Sequence, residues 1–343
     1  RMIFNISNTK LVPAKVGAGE VDLQSRILSL QDYTFLKQSE PQQNFKVNLW
    51  DVGYGAYAAL YPNLTCSDPV WRKLLRDVKF RRALSLAINR TEINRVMFFG
   101  LAAPTNNTVL PKSPLFKQEY RDSYIEFDVK KANALLDEMG LTKRNGDGIR
   151  LMPDGRPLEI IVETMGENPE HDDMLELIGD SWKQIGVKLF VKGLQREVLR
   201  NRAYSGETIM SIFNGVDSGL ATPGTVPAEF VPIQQDSLQW PKWGQYFQTN
   251  GEAGEAPDMP AAKELMDLYG KWANGNDAAR KDAWQRILDI NAENMFSIGL
   301  IGNVPQPVVV RNDLRNVPEK GIHSWEPGAF FGIYRPDTFW WDR

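Results

Sequence analysis

Apolar positions recur at helical spacing after Asp77, where Phe80, Ala83, Leu84, Ala87 and Ile88 sit three or four places apart and predict an amphipathic helix. Asn89, with Glu92 three places on, can cap a second helix, and Gly100 can end it. Residues 128–140 repeat the helical pattern and stop on Gly140. The period then changes. Asp-Gly pairs at 147–148 and 154–155, with alternating side chains around them, predict a hairpin feeding a strand that runs through Ile160 and Val162. Helix 175–186, strand 187–192, helix 195–203 and the apolar strand 209–213 follow, then helices 261–272 and 278–296. Residues 307–318 predict a strand and a turn, residues 2–6 a strand, and residues 17–22 a turn leaving a helix. Strands alternating with helices through short connections imply an α/β architecture.

Composition narrows the partners. A chain of 343 residues that is 42% hydrophobic and 24% charged can bury a substantial core and is long enough for more than one lobe. The formal charge of -3, with no Lys/Arg cluster, offers no footprint for nucleic acid. No apolar run reaches the ~18 residues of a membrane span. Cys66 is the single cysteine, so an internal disulfide and a cysteine-based metal cluster are excluded by arithmetic. A zinc site of the usual His/Cys type would have to draw both His171 and His323 from distant segments, and a Ser-His-Asp arrangement would need one of them as its base. His171 lies in an acidic run that reads as the approach to a helix. No metal and no cofactor is expected. A calcium loop around Asp147 and Asp154 would need the regular spacing and terminal glutamate of an EF-hand, which the sequence lacks.

Two segments carry candidate chemistry. Residues 48–77 are rich in glycine and aromatics, punctuated by Pro62 and Pro69, and suit a hinge segment crossing between lobes. The strand ending at Phe213 runs into Asn214-Gly-Val-Asp-Ser-Gly219, and ligands of open α/β sheets bind at loops beyond the carboxyl ends of strands.

The order acidic-Val-x-x-Arg-x-Ala-Leu-x-x-Ala-Ile-x-Arg-x-x-Ile from Asp77 to Ile93, then Gly100, Pro104 and Pro111, resembles the signature of family 5 bacterial extracellular solute-binding proteins. These are the dipeptide- and oligopeptide-binding receptors of ABC importers and their relatives. The resemblance implies an α/β, periplasmic-binding-protein-like (type II) fold of two lobes with a hinge. Residues 1–65 would supply the end of the first lobe and the crossing segment, 66–295 the second lobe, and 296–343 the return to the first. It also implies that the chain is a fragment lacking the signal peptide and the N-terminal part of the first lobe, from a protein exported to the periplasm. The implied mechanism is noncovalent capture in a cleft between the lobes and delivery to ABC permease subunits in the membrane, with no catalytic residue.

Peptide-binding relatives carry Trp-x-x-Asp-Tyr at a Gly/Ser-rich strand end, with an aspartate for the ligand's ammonium and an arginine upstream. The resemblance puts Asp217 and Arg202 in those places, with Asn214 standing for the tryptophan and Ser218 for the tyrosine. Asp217 and Asn214 equally suit sugar hydroxyls, and Asp217 also suits an Asx-turn over its own backbone. Trp240 and Trp243, interrupted by Gln239, Lys242 and Gln245, are either core or flat faces for stacking a pyranose or a peptide side chain. Tyr57, with Trp50 and Tyr54, is a further aromatic candidate in the crossing segment. The altered surroundings of Asp217 and the two tryptophans favour an oligosaccharide, with an oligopeptide as near rival. The alternative from another class is a carbohydrate hydrolase using paired acids, Glu229 with Asp236 or Glu252 with Glu255.

Overall fold

The structure, a computed structural model, describes residues 3–166, 168–325 and 328–342. The chain divides into two compact units. Unit 1 comprises residues 1–53, 94–103 and 303–343, and unit 2 comprises 54–93 and 104–302. The chain thus changes unit at Gly53/Tyr54 and Gly302/Asn303, where the sequence suggested 65/66 and 295/296, and the 94–103 excursion had no signal in the sequence.

Unit 1 is built on Phe45–Val52, which pairs antiparallel with Gln306–Arg311 and parallel with Ile322–His323. Leu23–Gln24 adds the far edge. Period-2 alternation sends Phe45 and Val47 to one face, where they pack with Val16, Leu28, Leu36 and Val309. The opposite face packs Trp50 with Val308 and Val310, and Phe331 and Tyr334 meet the indole edge-on at 5.6 and 4.9 Å. The strand expected at residues 2–6 does not form over the described residues 3–6. Ile3, Phe4 and Ile6 are exposed, and a strand without a ladder neighbour has nothing to hold it.

Unit 2 holds a mixed sheet whose strands include, in order, Ile298–Gly302, Ala58–Pro62, Met210–Phe213, Glu159–Met165 and Lys188–Leu194. Ala58–Pro62 runs antiparallel to both neighbours, whereas Glu159–Met165 runs parallel to both of its own. Every residue of Ala58–Pro62 and of Ile298–Gly302 is buried, the mark of strands covered on both faces. The segment 48–77, read as a crossing, therefore contains strand and, at Pro69–Arg76, helix. A continuous apolar run carries no alternation to reveal it. Gly299 permits a close approach within the sheet strand, because a Cβ would lie 2.3 Å from the Asn106 carbonyl carbon.

The helices follow their caps. Asn89 Oδ1 accepts the Glu92 N–H at 3.1 Å at the head of Arg90–Phe98, and Asp128 accepts from Lys131 at the head of Val129–Glu138. Pro169–Lys183 starts six residues before the expected 175, since Asn168 caps it and Pro169 occupies its first turn. Asn145 Oδ1 accepts the N–H groups of Asp147 and Ile149, which makes the expected hairpin a hydrogen-bonded turn in place of a calcium loop.

Three arginines are buried in unit 2, and two of them are signature residues. Arg81 donates to the carbonyls of Asn294 and Met295, at the last turn of Asp277–Asn294, and to Leu75. It thereby satisfies orphan carbonyls at the negative end of an 18-residue helix. Arg90 bonds the Gly299 carbonyl at 2.9 and 2.8 Å, the Ser85 carbonyl at 2.9 Å and Ser85 Oγ at 2.7 Å, which ties the helix Val78–Leu86 to the sheet strand Ile298–Gly302. Burial lowers both guanidinium groups to about 9, so they stay charged at neutral pH with carbonyl dipoles around them. Arg90→Met removes the guanidinium donors from the Gly299 and Ser85 carbonyls and from Ser85 Oγ. It should lower the urea-unfolding free energy by about 3 kcal/mol or more, and a loss below about 1 kcal/mol would contradict the role given to Arg90.

Candidate functional site

The loop that follows Met210–Phe213 is held on three sides. Gly55 N–H donates to the Val216 carbonyl at 2.8 Å, Gly215 N–H to Ala56 at 3.0 Å, and Leu110 N–H to Gly219 at 2.7 Å. Side chains complete the frame. Tyr61 OH donates to the Asn214 carbonyl at 2.6 Å, and Asn107 Oδ1 accepts the Val216 N–H at 2.8 Å while its Nδ2 reaches Ser297 Oγ at 2.9 Å. The backbone at Gly215 passes so close to its neighbours that a Cβ would lie 2.4 Å from Ala56 N and O, so only glycine fits.

Glu229 closes the third side. Its Oε1 accepts the Asp217 N–H at 2.8 Å, and its Oε2 accepts the Ser218 N–H at 2.8 Å and the Ser218 Oγ at 2.5 Å. Burial pushes the Glu229 carboxyl up from its ordinary value against the lowering effect of these donors. Burial also raises the Tyr61 phenol, reinforced by the charge of Glu229, so Tyr61 stays a proton donor to the Asn214 carbonyl. The result is a preformed turn on which the side chains of Asn214 and Asp217 are half-buried, beyond the carboxyl end of a strand paired in parallel with Glu159–Met165. Tyr61, Asn107 and Glu229 were not read from the sequence as parts of this frame. They lie 46 or more residues from one another and carry no spacing that joins them.

Other expected site residues are placed differently. Trp240 and Trp243 are fully buried, which corrects the expectation of stacking faces. Trp240 caps the helix Pro241–Gln248, and its ring packs with Trp243 at 6.3 Å and edge-on with Phe296 at 5.1 Å. Lys242, between them, and Gln245, two places beyond Trp243, are half-buried positions of that helix, a pattern that sequence alone reads as interruption. Arg202, on Arg196–Ser205, is committed to Glu163 at 2.8 Å and to Glu207 at 2.5 Å, with Thr208 Oγ1 bonded to the other Glu163 oxygen at 2.6 Å. Its guanidinium is raised chiefly by the Glu163 hydrogen bond, so the residue expected in the place of the family's upstream arginine is already ion-paired within the chain. Tyr57 is half-buried, and its hydroxyl bonds Glu170 at the start of Pro169–Lys183.

One acid of each expected pair has a structural occupation. Glu229 holds the 217–218 turn. Glu255 takes Arg72 in a two-point bond at 2.9 and 3.0 Å and Lys242 at 3.1 Å, and these partners, against the opposing effect of burial, hold its carboxyl below the usual range. His171 is buried, neither ring nitrogen has a partner among the described residues, and burial lowers it to about 4. That disposition does not suit a general base. Among the described residues no cluster of three His, Cys, Asp or Glu side chains could hold a metal ion, and no helix is long and apolar enough to cross a membrane.

The chain belongs to the bacterial extracellular solute-binding proteins, family 5, whose middle-region profile matches residues 3–232. A periplasmic alpha-galactoside-binding protein of Rhizobium meliloti is 22% identical over 255 residues, covering 72% of this chain and 35% of that protein. An oligopeptide-binding protein OppA of Lactococcus lactis subsp. lactis is 30% identical over 210 residues, covering 58% and 33%. A solved structure of an oligopeptide-binding protein OppA matches with a TM-score of 0.74 at 30% identity, covering 98% of this chain and 56% of that one. The chain therefore spans about half the length of this structural relative, and its mixed α/β architecture is the periplasmic-binding-protein-like (type II) fold of the family. The family is described as one of solute-binding proteins, and this structural relative as an oligopeptide-binding protein.

Two outcomes check this geometry. Glu229→Ala removes three hydrogen bonds from one turn, so the amides of Asp217 and Ser218 should exchange with solvent at least about tenfold faster, and unchanged exchange would show that the turn holds itself. The unfolded chain protonates His171 near 6.5 whereas the folded chain resists until about 4, so stability present above pH 6.5 falls as the pH drops through that window. The full loss is about 3 kcal/mol. His171→Leu should flatten the acid limb in urea titrations at pH 7 and pH 4, and an unaltered limb would contradict this assignment.

Proposed function

We propose that this chain is part of a substrate-binding protein of an ABC importer, which captures a short oligomeric solute without covalent chemistry and presents it to permease subunits outside the cytoplasmic membrane. The reading rests on one observation within the family framework: the 214–219 turn is preformed, with Asn214 and Asp217 at the carboxyl end of a sheet strand. A turn whose shape is fixed before binding loses little conformational entropy on meeting a ligand. Asn214 supplies both a donor and an acceptor, and Asp217 supplies an acceptor for an ammonium or for paired hydroxyls. Oligopeptides and oligosaccharides both satisfy this chemistry. The earlier preference for an oligosaccharide loses its stacking support with the burial of Trp240 and Trp243, while the OppA likeness at 30% identity supports an oligopeptide. The peptide is therefore the first class to test.

Calorimetry of the protein as its host produces it, against short peptides and against galactosides, separates the ligand classes, and mass spectrometry of the same mixtures reports any cleavage. Saturable binding with intact solute is the expected result; catalytic turnover would overturn the proposal. Asp217→Ala should weaken the solute bound by about tenfold, the cost of one charge-assisted hydrogen bond. An unchanged dissociation constant would remove Asp217 from the site.

A further inference from the structure

Four Asn-Gly pairs punctuate the sequence, at 145–146, 214–215, 250–251 and 274–275. In each, the glycine amide nitrogen is the atom that can attack the asparagine side chain, because glycine offers no Cβ to hinder the approach. Three of these amides are occupied. Gly215 N–H donates to Ala56 at 3.0 Å, Gly251 N–H to Tyr246 at 2.8 Å, and Gly275 N–H to Trp272 at 3.3 Å. The Asp-Gly pairs are closed in the same way, since Gly148 N–H donates to Asn145 at 3.0 Å and Gly155 N–H to Met152 at 2.9 Å.

Gly146 stands apart. It is exposed, a Cβ there would meet nothing within 4 Å, and its N–H has no hydrogen-bond acceptor among the described residues. Its neighbour is also primed. Asn145 Oδ1 accepts two backbone N–H groups, from Asp147 at 3.0 Å and Ile149 at 2.9 Å, which draw electron density from Cγ and hold the side chain in one orientation.

We infer that Asn145 is a site of spontaneous deamidation, the one Asn-Gly pair that the folded chain leaves open to this chemistry. The Gly146 nitrogen gives up its proton to solvent base and bonds to Asn145 Cγ. The bond from Cγ to Nδ2 then breaks, and that nitrogen takes up a proton and leaves as ammonia. Water adds to one of the two carbonyls of the five-membered imide and opens it, leaving aspartate or isoaspartate. Either product adds a negative charge to the hairpin tip. Isoaspartate also lengthens the backbone by one carbon and disturbs the Asn145 N–H bond to the Ile149 carbonyl, 2.8 Å long in the intact turn. The same contacts that preform the 214–219 turn shield Asn214, so the candidate binding loop is spared.

Peptide mapping by mass spectrometry after incubation at mildly alkaline pH tests this, with the folded protein compared against the chain in urea. In urea all four pairs should react at similar rates. In the folded protein Asn145 should keep a rate within a few-fold of its unfolded one, whereas the other three slow by at least about tenfold, since each needs a local opening first. Gly146→Ala, at a position with open space for a Cβ, should fold normally and suppress the mass gain at Asn145. If Asn214, Asn250 or Asn274 reacts first in the folded protein, or if Asn145 slows as much as they do, the inference fails.

Discussion

A half-buried carboxyl group facing two backbone amides and a hydroxyl is the constraint on which the candidate site depends. Glu229 substitutes for water at Asp217 and Ser218, as Asn107 does at Val216 and Tyr61 at Asn214. A loop normally runs over the surface because its polar groups need water. Here the groups are satisfied from within, so the turn can sit half-buried with one defined shape. Gly55 and Gly215 belong to the same constraint, because a side chain at either would collide with backbone atoms closer than 2.5 Å.

The same logic recurs in the frame beneath the loop. Arg81 and Arg90 have carbonyl oxygens in place of carboxylate partners, and each gathers carbonyls from separate segments of the chain. One guanidinium spreads its donors in a rigid plane, so it can bind several acceptors that no two neighbouring residues could reach. The Gly299 carbonyl held by Arg90 belongs to the strand beside Ala58–Pro62, whose next neighbour, Met210–Phe213, feeds the 214–219 turn. Packing of the signature helices and the position of the turn are therefore linked through one sheet.

Much of this was legible in the sequence, and the failures share a physical cause. Helices with a cap and a stop, such as Val129–Glu138 with Asp128 and Gly140, could be read because both signals are local. The signature from Asp77 to Ile93 identified the family, yet it did not disclose that its arginines are structural, since each joins a nearby carbonyl to one more than two hundred residues away. Asn214 and Asp217 could be placed beyond a strand, but the frame of Tyr61, Asn107 and Glu229 exists only after folding. Trp240 and Trp243 misled because the spacing of an eight-residue helix resembles an interrupted aromatic loop. The ion pair of Arg202 was equally hidden, because its partner Glu163 sits 39 residues away on a strand.

The central claim is that a turn fixed before binding grips the solute through Asn214 and Asp217. A structure of the protein as its host produces it, solved with its solute, measures this directly. The account predicts a polar group of the solute within hydrogen-bond distance of one of those two side chains, with the 214–219 backbone in the same conformation as without solute. A solute seated with both side chains untouched, or a turn that refolds to receive it, would contradict the account.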